Sequence, residues 1–479
     1  MASRPPRSDP AAIAHLLSGP GRADLCRFLI GRRWFAAKSR GIDVVTVLDW
    51  TVLEPEGPLV IVLLEVDGDR YHLPVTIARQ AGPGGAIARL GADAVVVDAH
   101  EDPRFGRRLL AAIAASRSIL GLAGRFHFRP TPGWAFPPDP DALAVRPLSG
   151  EQSNTSVVIG PGLLLKSLRR PQPGINPDLE ITRFLTTRTA FRQVPRLAGW
   201  VEYDGADGPA TLGIVQELVE NTGDGWKHVT TTLQGGAGAL DPELIEDARR
   251  LGATTAGLHV ALASDPSDPD FRPEPITADD VERWAAAVIR DLEASDLASA
   301  LAQCPPFLEE APRSVAHARA MLEPLTGTVK IRTHGDYHLG QVLKTRDGFV
   351  IIDFEGEPAR PLAERRLKHS ALRDVAGMLR SLDYAAHAVA FTRPEAERAS
   401  ALAALAAWET RARRAFLEGY RTAIDRSAAP LAPASEAALH RACAAFELEK
   451  ACYELRYELN NRPDWTAIPL AGITRILSA

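Results

Sequence analysis

The apolar positions change their spacing along the chain, and each change marks an element. Over residues 11–30 they recur three and four apart, which predicts a short amphipathic helix. Residues 44–52, 59–65 and 71–78 instead alternate or run apolar, with glycine-containing turns between them, so three strands are predicted. A helix is expected near residues 105–118. Two short β-rich runs at 155–159 and 163–168, joined by Gly160-Pro161-Gly162, carry the signature of a hairpin. Between helix and hairpin, the proline-rich run from Arg129 to Pro140 reads as an exposed turn region. One more strand is expected over 212–219. From about Asn221 the pattern turns mostly helical. Runs at 244–263, 278–294, 396–423 and 435–459 are rich in Ala, Leu and Arg, lack proline and can pack as a bundle, with 265–273 a loop between the first two. No internal repeat is evident.

Within the helical half, one stretch combines chemistry with fixed spacing: Arg332-Thr333-His334-Gly335-Asp336-Tyr337-His338-Leu339-Gly340-Gln341, then Val350-Ile351-Ile352-Asp353-Phe354-Glu355. A kinase of the protein-kinase-like fold needs a carboxylate for the acceptor hydroxyl, a metal-binding amide five residues on, and a metal-binding Asp after a following strand. Asp336 is the catalytic candidate. Gln341 stands where such kinases usually carry Asn, and Asp353 ends an apolar run as the magnesium carboxylate. Glu355 replaces the Gly of the familiar Asp-Phe-Gly triplet and is a third candidate for the metal, or a hydrogen-bond partner of the catalytic loop. Taken singly, each residue has a plainer reading, since His-Gly-Asp is a common turn and a carboxylate after a strand often caps the next segment. Turn chemistry gives no reason for the joint spacing, which favours the kinase site.

The phosphate machinery is expected upstream. Lys166 lies in the apolar run Leu163-Leu164-Leu165-Lys166, in a chain with only seven lysines among its 55 basic residues. It is the candidate for the ATP phosphates; the alternative is an edge-strand lysine that discourages aggregation. The small, polar run from Ser149 to Ser156, with Ser153, Asn154 and Thr155 as candidate ATP-binding residues, can cover phosphates with N–H and hydroxyl groups. Asn176-Pro177 reads as the N-cap and first position of a helix through Asp178, Glu180 and Phe184. Glu180 is the candidate partner of Lys166, or else a first-turn acid favoured by the helix dipole. Backbone groups from Glu217 to Val219 are placed against adenine by the order of elements.

For the acceptor, Lys450, Tyr453, Glu454 and Tyr457 sit at i, i+3, i+4 and i+7 and share one helix face. Rings for the C–H faces of a pyranose and charges for its hydroxyls suit a sugar; a core stripe with hydrogen-bonded tyrosines is the alternative. Arg462, Asp464 and Trp465 follow in a proline-bounded turn expected to close the same pocket. His334 and His338 complete the acceptor candidates, His334 also as a support of the loop backbone. Near the start, Arg32-Arg33-Trp34-Phe35 with Lys38 and Arg40 reads as a solvated basic turn with buried aromatics, rather than an anion site.

These motifs, with Asp374-Val375-Ala376-Gly377-Met378-Leu379-Arg380 and Phe446-Glu447-Leu448-Glu449-Lys450, make the chain resemble the bacterial maltokinases over nearly its whole length. That resemblance includes versions fused to trehalose synthase. It implies an α+β, bilobal, protein-kinase-like fold related to aminoglycoside phosphotransferases, dependence on Mg2+ and ATP, and transfer to the anomeric hydroxyl of maltose, giving maltose 1-phosphate for glycogen or α-glucan synthesis. Trehalose synthase is the implied protein partner. The implied division is a β-rich cap at 1–95, a nucleotide-binding subdomain at 96–220 and a helical lobe with the acceptor site at 221–479. Tyr337 departs from the pattern, where Leu is usual. A glucosamine kinase is the nearer rival, an aminoglycoside phosphotransferase a more distant one, and a catalytically inactive sugar or nucleotide sensor the rival from another class.

Composition fits a soluble enzyme. At 479 residues with 46% hydrophobic and 24% charged, the chain can bury more than one core. A net charge of -5 without a long basic stripe argues against nucleic acid as a partner. Cys26, Cys304, Cys443 and Cys452 show neither metal spacing nor a disulfide framework. Residues 1–24 lack an apolar signal region and no run reaches membrane-span length, so a cytoplasmic location and no membrane partner are expected.

Overall fold

The computed structural model describes residues 10–36, 41–148, 153–235, 241–294, 296–302 and 314–478. The chain forms two compact units, Met1–Thr187 with Pro195–Val219, and Arg188–Val194 with Glu220–Ala479.

In the first unit, α1 (Pro10–Ser18) and α2 (Arg22–Ile30) replace the single helix predicted over 11–30. The break falls at Gly19-Pro20-Gly21, where a Cβ on Gly21 would come within 3.0 Å of Leu16 and Ala88. The three predicted strands form as β1 (Val45–Glu54), β2 (Leu59–Val66) and β3 (Asp69–Ala78). With β4 (Ala88–Leu90) and β5 (Ala94–Asp98) they make an antiparallel sheet of order β1-β2-β3-β5-β4. Side chains alternate across a strand, so β2 feeds two cores at once. Val60, Val62 and Leu64 pack with the α1–α2 side, whereas Leu59, Ile61 and Leu63 join the core shared with α3 (Pro103–Ala114).

That second core is completed by a seven-stranded sheet: β6 (Ser118–Leu120), β7 (Arg125–Pro130), β8 (Val145–Pro147), β9 (Asn154–Ile159), β10 (Leu163–Leu168), β11 (Leu197–Gly205) and β12 (Gly208–Glu217), in the order β6-β7-β11-β12-β10-β9-β8. β9 and β10 pair as the predicted hairpin, with Lys166 opposite Ser156. The proline-rich run is partly strand: it supplies the end of β7, where Pro130 pairs with Gly199, before the irregular path to β8. A buried guanidinium, Arg169, ties the sheets together. It pairs with Asp98 at the end of β5 and donates to Thr155 Oγ1 on β9 at 2.7 Å. α4 (Pro177–Arg188) follows β10, and Asn176 Oδ1 accepts the Asp178 N–H at 2.8 Å, as the predicted cap requires.

The second unit is helical, built on α5 (Gly225–Gln234), α6 (Pro242–Leu262), α7 (Ala278–Leu292), α8 (Ser314–Leu322), α9 (Leu372–Phe391), α10 (Glu395–Ile424), α11 (Glu436–Asn461) and α12 (Ala467–Leu477). Three short strands, β13 (Glu274–Pro275), β14 (Val329–Ile331) and, after the hairpin β15 (Val342–Thr345) and β16 (Gly348–Ile351), β17 (His369–Ser370), brace the loops between helices. α9 is buried on nearly every side, against α5, α10 and α11. No helix among the described residues is long and apolar enough to cross a membrane.

α6 and α10 cross at two glycines. A Cβ on Gly252 would lie 2.0 Å from the Phe416 carbonyl oxygen, and one on Gly419 2.0 Å from that of Arg249. Main chain cannot yield as a side chain does, so Gly419→Ala is expected to destabilise the protein by about 1–3 kcal/mol. A lowered urea midpoint checks this; an unchanged midpoint contradicts the close crossing.

Candidate active site

In the helical unit the loop between β14 and β15 is held from beneath by one carboxylate. Asp374, 2% exposed in the first turn of α9, accepts the His334 N–H at 2.7 Å and the Gly335 N–H at 2.9 Å. His259 on α6 lies 3.2 Å from the same carboxylate and bonds Tyr420 of α10 through its other nitrogen at 3.0 Å. Burial alone would raise the Asp374 carboxyl. Its hydrogen bond to His259, the two imidazoles and the Gly335 amide hold it below the ordinary range. Gly335 has φ 83°, a conformation open to glycine. Gly377 on α9 lets the loop approach, since a Cβ there would sit 2.6 Å from the Tyr337 carbonyl oxygen. Tyr337 is buried, with its hydroxyl 2.9 Å from that of Thr255 on α6.

His334 faces the loop. Its Nε2 lies 2.9 Å from the Ile352 carbonyl oxygen, and its Nδ1 accepts the Asp336 N–H at 3.4 Å, which assigns the proton to Nε2. His338 Nδ1 accepts the Gly340 N–H at 3.0 Å, and burial holds its ring below the usual imidazole pKa.

These contacts leave the Asp336 side chain partly exposed, at 21%. Lys450 of α11 donates to Asp336 Oδ1 at 2.9 Å and to Glu357 Oε1 at 3.0 Å. Burial would lower the ammonium's pKa, but the Asp336 and Glu357 carboxylates raise it overall. Burial likewise pushes Glu357 up, and Lys450, Arg373 and Arg360 outweigh it, bringing its pKa to about 2. The pairing of Asp336 with Lys450 joins two residues that sequence reasoning singled out separately. The role of Glu357 as the second anchor of Lys450 has no sequence signal.

The hairpin β15–β16 brings the metal candidates together. Ile352 N–H donates to the Gln341 carbonyl oxygen at 3.0 Å, and Gln341 Nε2 lies 3.1 Å from Asp353 Oδ2. Asp353 has φ 68°, a strained conformation for a non-glycine residue that concentrates at functional sites. The Asp353 carboxylate is a hard-oxygen ligand of the kind Mg2+ prefers, and Gln341, whose amide nitrogen faces Asp353, fits such an ion once the amide turns its oxygen toward it. Glu355 follows two residues on, and its carbonyl oxygen accepts from Arg365 at 3.0 Å.

The acceptor face of α11 divides. Tyr453 lies under the Lys450 ammonium, 4.6 Å from Nζ to ring centroid. Glu454 is turned to the buried Arg380, which donates to it at 2.5 and 3.1 Å. Tyr457 stands in solvent, 48% exposed, so it is no core residue.

In the β-rich unit, Lys166 Nζ donates to Asp178 Oδ2 at 2.6 Å. Asp178 is 2% and Glu180 3% exposed, both in the first turn of α4. Sequence reasoning chose Glu180 as the lysine's partner and passed over Asp178, because nothing in the spacing separates two acids on one turn. Asn154 and Thr155 open β9 and Ser153 precedes it, exposed. Glu217 ends β12 with an ion pair to Arg196 at 3.6 Å. Val219 lies just beyond it, where the Leu218 N–H donates to Gly162 O at 2.9 Å. Trp34 and Phe35 are buried against Tyr71, as the reading of a basic turn with buried aromatics expects. Lys38, Arg40 and residues 149–152 lie outside the described residues.

Two outcomes follow. Asp336→Asn should lower phosphoryl transfer by about 10^2–10^4-fold while ATP affinity stays within a few-fold, since the residue faces the acceptor; retained turnover removes it from that role. Asp374 has a folded pKa below its unfolded value of about 3.9, so its stabilisation is complete above that pH and is lost as pH falls through the lower folded value. Asp374→Asn should therefore melt lower than the parent at pH 7, with the gap closing below about pH 4. A gap that stays constant down to pH 3 contradicts the account.

Comparison with known proteins bears on the family and the fold. Residues 28–102 match the maltokinase N-terminal cap domain family, and residues 144–356 match the phosphotransferase enzyme family. A glucosamine kinase from Mycolicibacterium smegmatis is 30% identical over 83% of this chain and 90% of its own length. One from Streptacidiphilus jiangxiensis is 29% identical over 69% of this chain and 74% of its own. The solved structure of a glucosamine kinase in complex with glucosamine, ADP and inorganic phosphate superposes with a TM-score of 0.69, covering 98% of this chain and 100% of that one at 24% identity, a likeness that speaks for the fold.

Proposed function

This chain belongs to the phosphotransferase enzyme family, among members that carry a maltokinase N-terminal cap, and on that premise we propose that it is an ATP-dependent maltokinase. It transfers the γ-phosphoryl group of ATP to the anomeric hydroxyl of maltose. The observation that carries the choice of a neutral acceptor is the pairing of charges around Asp336. Glu357 is taken by Lys450 and Arg360, Glu449 by Arg360 and Arg373, and Glu454 by Arg380. These three acids already have their cations, which leaves Tyr453 and Tyr457 as sugar-facing groups. A glucosamine kinase is the second reading, favoured by the names of the relatives.

In this reading Asp336 accepts a hydrogen bond from the attacking hydroxyl, and Lys450 fixes the carboxylate's direction. As the new O–P bond forms, the bond from the γ-phosphorus to the β,γ-bridging oxygen breaks, ADP leaves, and the hydroxyl proton passes to Asp336. Gln341 and Asp353, with Glu355, hold magnesium, which when bound neutralises phosphate charge. In sequence, residues 96–220 are the nucleotide-binding part, after the cap at 1–95 and before the helical lobe at 221–479. There Lys166 reaches the phosphates, Ser153, Asn154 and Thr155 cover them, Asp178, in the same helical turn as Glu180, positions the lysine, and the main chain from Glu217 to Val219 takes adenine. His334 holds the loop while His338 flanks the acceptor. Catalysis is then chiefly positioning and charge neutralisation. A cytoplasmic location, a role in α-glucan synthesis and a trehalose synthase partner belong to the same reading and rest on the sequence resemblance.

Initial rates of ADP release with Mg-ATP and maltose, glucosamine, glucose, trehalose or kanamycin test it. Maltose is expected to have the highest kcat/KM; glucosamine in first place overturns the choice of acceptor, and no turnover with any of them overturns the kinase reading. Because Tyr457 is exposed, Tyr457→Ala should leave the melting temperature unchanged and raise the maltose KM by about 5–30-fold, for a stacking loss on the order of 1–2 kcal/mol. An unchanged KM moves the sugar off this part of α11.

A further inference from the structure

The helix that supports the catalytic loop also holds the hairpin beyond it. α6 meets the loop through His259, which lies against Asp374, and through Thr255, whose hydroxyl is 2.9 Å from that of Tyr337. Asp247 precedes Thr255 and His259 by eight and twelve positions, so the three fall within about a third of the helix circumference. At Asp247 the helix takes hold of β15. Lys344 Nζ donates to both of its oxygens, at 2.6 and 2.7 Å, and His228 Nε2 on α5 lies 2.9 Å from Asp247 Oδ2. Asp247 is 2% exposed. Burial alone would raise its carboxyl, but hydrogen bonds from His228 and Lys344, with the charge of the lysine, hold it below the ordinary range.

Lys344 gathers both strands of the hairpin. It faces Phe349 across the β15–β16 register, and its ammonium lies 4.9 Å from the centroid of that ring, which His228 meets edge-on at 6.4 Å. Its main chain is pinned as well. The Lys344 N–H donates to Gly223 O at 2.9 Å, and its carbonyl oxygen accepts the Thr222 N–H at 2.9 Å. At the start of α5, Gly225 packs so closely on β15 that a Cβ would lie 2.6 Å from the Val342 side chain.

We propose that Asp247 is a positioning residue for the magnesium ligands: through Lys344 it fixes the hairpin that carries Gln341 and Asp353 relative to Asp336. The inference rests on the reading of Gln341 and Asp353 as metal ligands. Gln341 directly precedes β15 and Asp353 follows β16 by two residues, so a rotation of the hairpin displaces both together. A two-stranded hairpin is marginally stable by itself. Its orientation therefore comes from what it is fastened to, and here that is the helix that also supports the loop bearing Asp336. Stability gives less reason for the arrangement, since a buried ion pair is often no more stabilising than apolar residues of similar volume. Its directed hydrogen bonds, however, define one orientation. Phosphoryl transfer needs that, because reacting groups must be held to within about 0.5 Å.

Calorimetric titration of the full chain with ADP, in excess Mg2+ and again in EDTA, tests the proposal. The ratio of the two affinities is the gain due to the metal. Asp247→Asn, which keeps the shape of the side chain, and Lys344→Met are each expected to reduce that gain by about tenfold. Both should leave the ADP affinity in EDTA unchanged, and the double variant should lose no more than either alone, because the two break one contact. If Asp247→Asn fails to fold, Lys344→Met decides alone, since it leaves the carboxylate its His228 partner. A variant that melts lower yet keeps the full gain shows a merely structural ion pair and overturns the proposal, as does an equal loss of affinity with and without the metal. Failure of the underlying reading looks different: a parent protein whose ADP affinity is indifferent to Mg2+ overturns the metal site itself, and the proposal with it.

Discussion

Asp374 fixes the geometry on which the rest of the helical unit's chemistry depends. Its two oxygens hold consecutive amides of the loop, at His334 and Gly335, so the direction in which Asp336 leaves the main chain is set from the first turn of α9. A carboxylate only 2% exposed is tolerable because both of its oxygens meet donors. The donors come from the loop and from α6, whose His259 is itself steadied by Tyr420 of α10. The small residues follow from the same demand. Gly377 admits the loop's main chain, and Gly252 with Gly419 lets α6 and α10 approach closely enough to present His259. The close crossing and the active loop are thus one packing problem.

Lys450 plays a related part from α11. A lysine amine buried among neutral groups would lose its proton, yet two carboxylates, Asp336 and Glu357, hold this one charged. The arrangement ties a helix distant in sequence to the loop by one ion-paired group. Around it Glu357, Glu449 and Glu454 are each matched to cations, and in the proposed reading this leaves mainly rings to face an acceptor. Among enzymes of one fold, a difference of acceptor can rest on this kind of bookkeeping of charge, without change in the groups that handle phosphate.

Much of this was legible in the sequence, for identifiable reasons. The hairpin bearing Lys166, the strands of the cap and four long helices announce themselves because each exposes one face and buries another. The loop with Asp336, Gln341 and Asp353 is legible because phosphoryl transfer demands fixed intervals. What stayed hidden lacks local signal. The helix over 11–30 breaks at glycines whose need for closeness comes from Leu16 and Ala88. Asp178, Glu357 and Arg380 take their partners from segments that only folding brings near. Lys450, Tyr453, Glu454 and Tyr457 were expected to share one face of α11, and tertiary contacts divide it, with Glu454 turned inward and Tyr457 outward.

The central claim is transfer of phosphate from ATP to the anomeric oxygen of a neutral disaccharide. Two-dimensional ³¹P–¹H correlation of the product formed from maltose and Mg-ATP tests it most directly. The account predicts one phosphate monoester signal coupled to the anomeric proton of the reducing glucose unit. A phosphate coupled only to other sugar protons, or no sugar phosphate at all while glucosamine is phosphorylated under the same conditions, would contradict it.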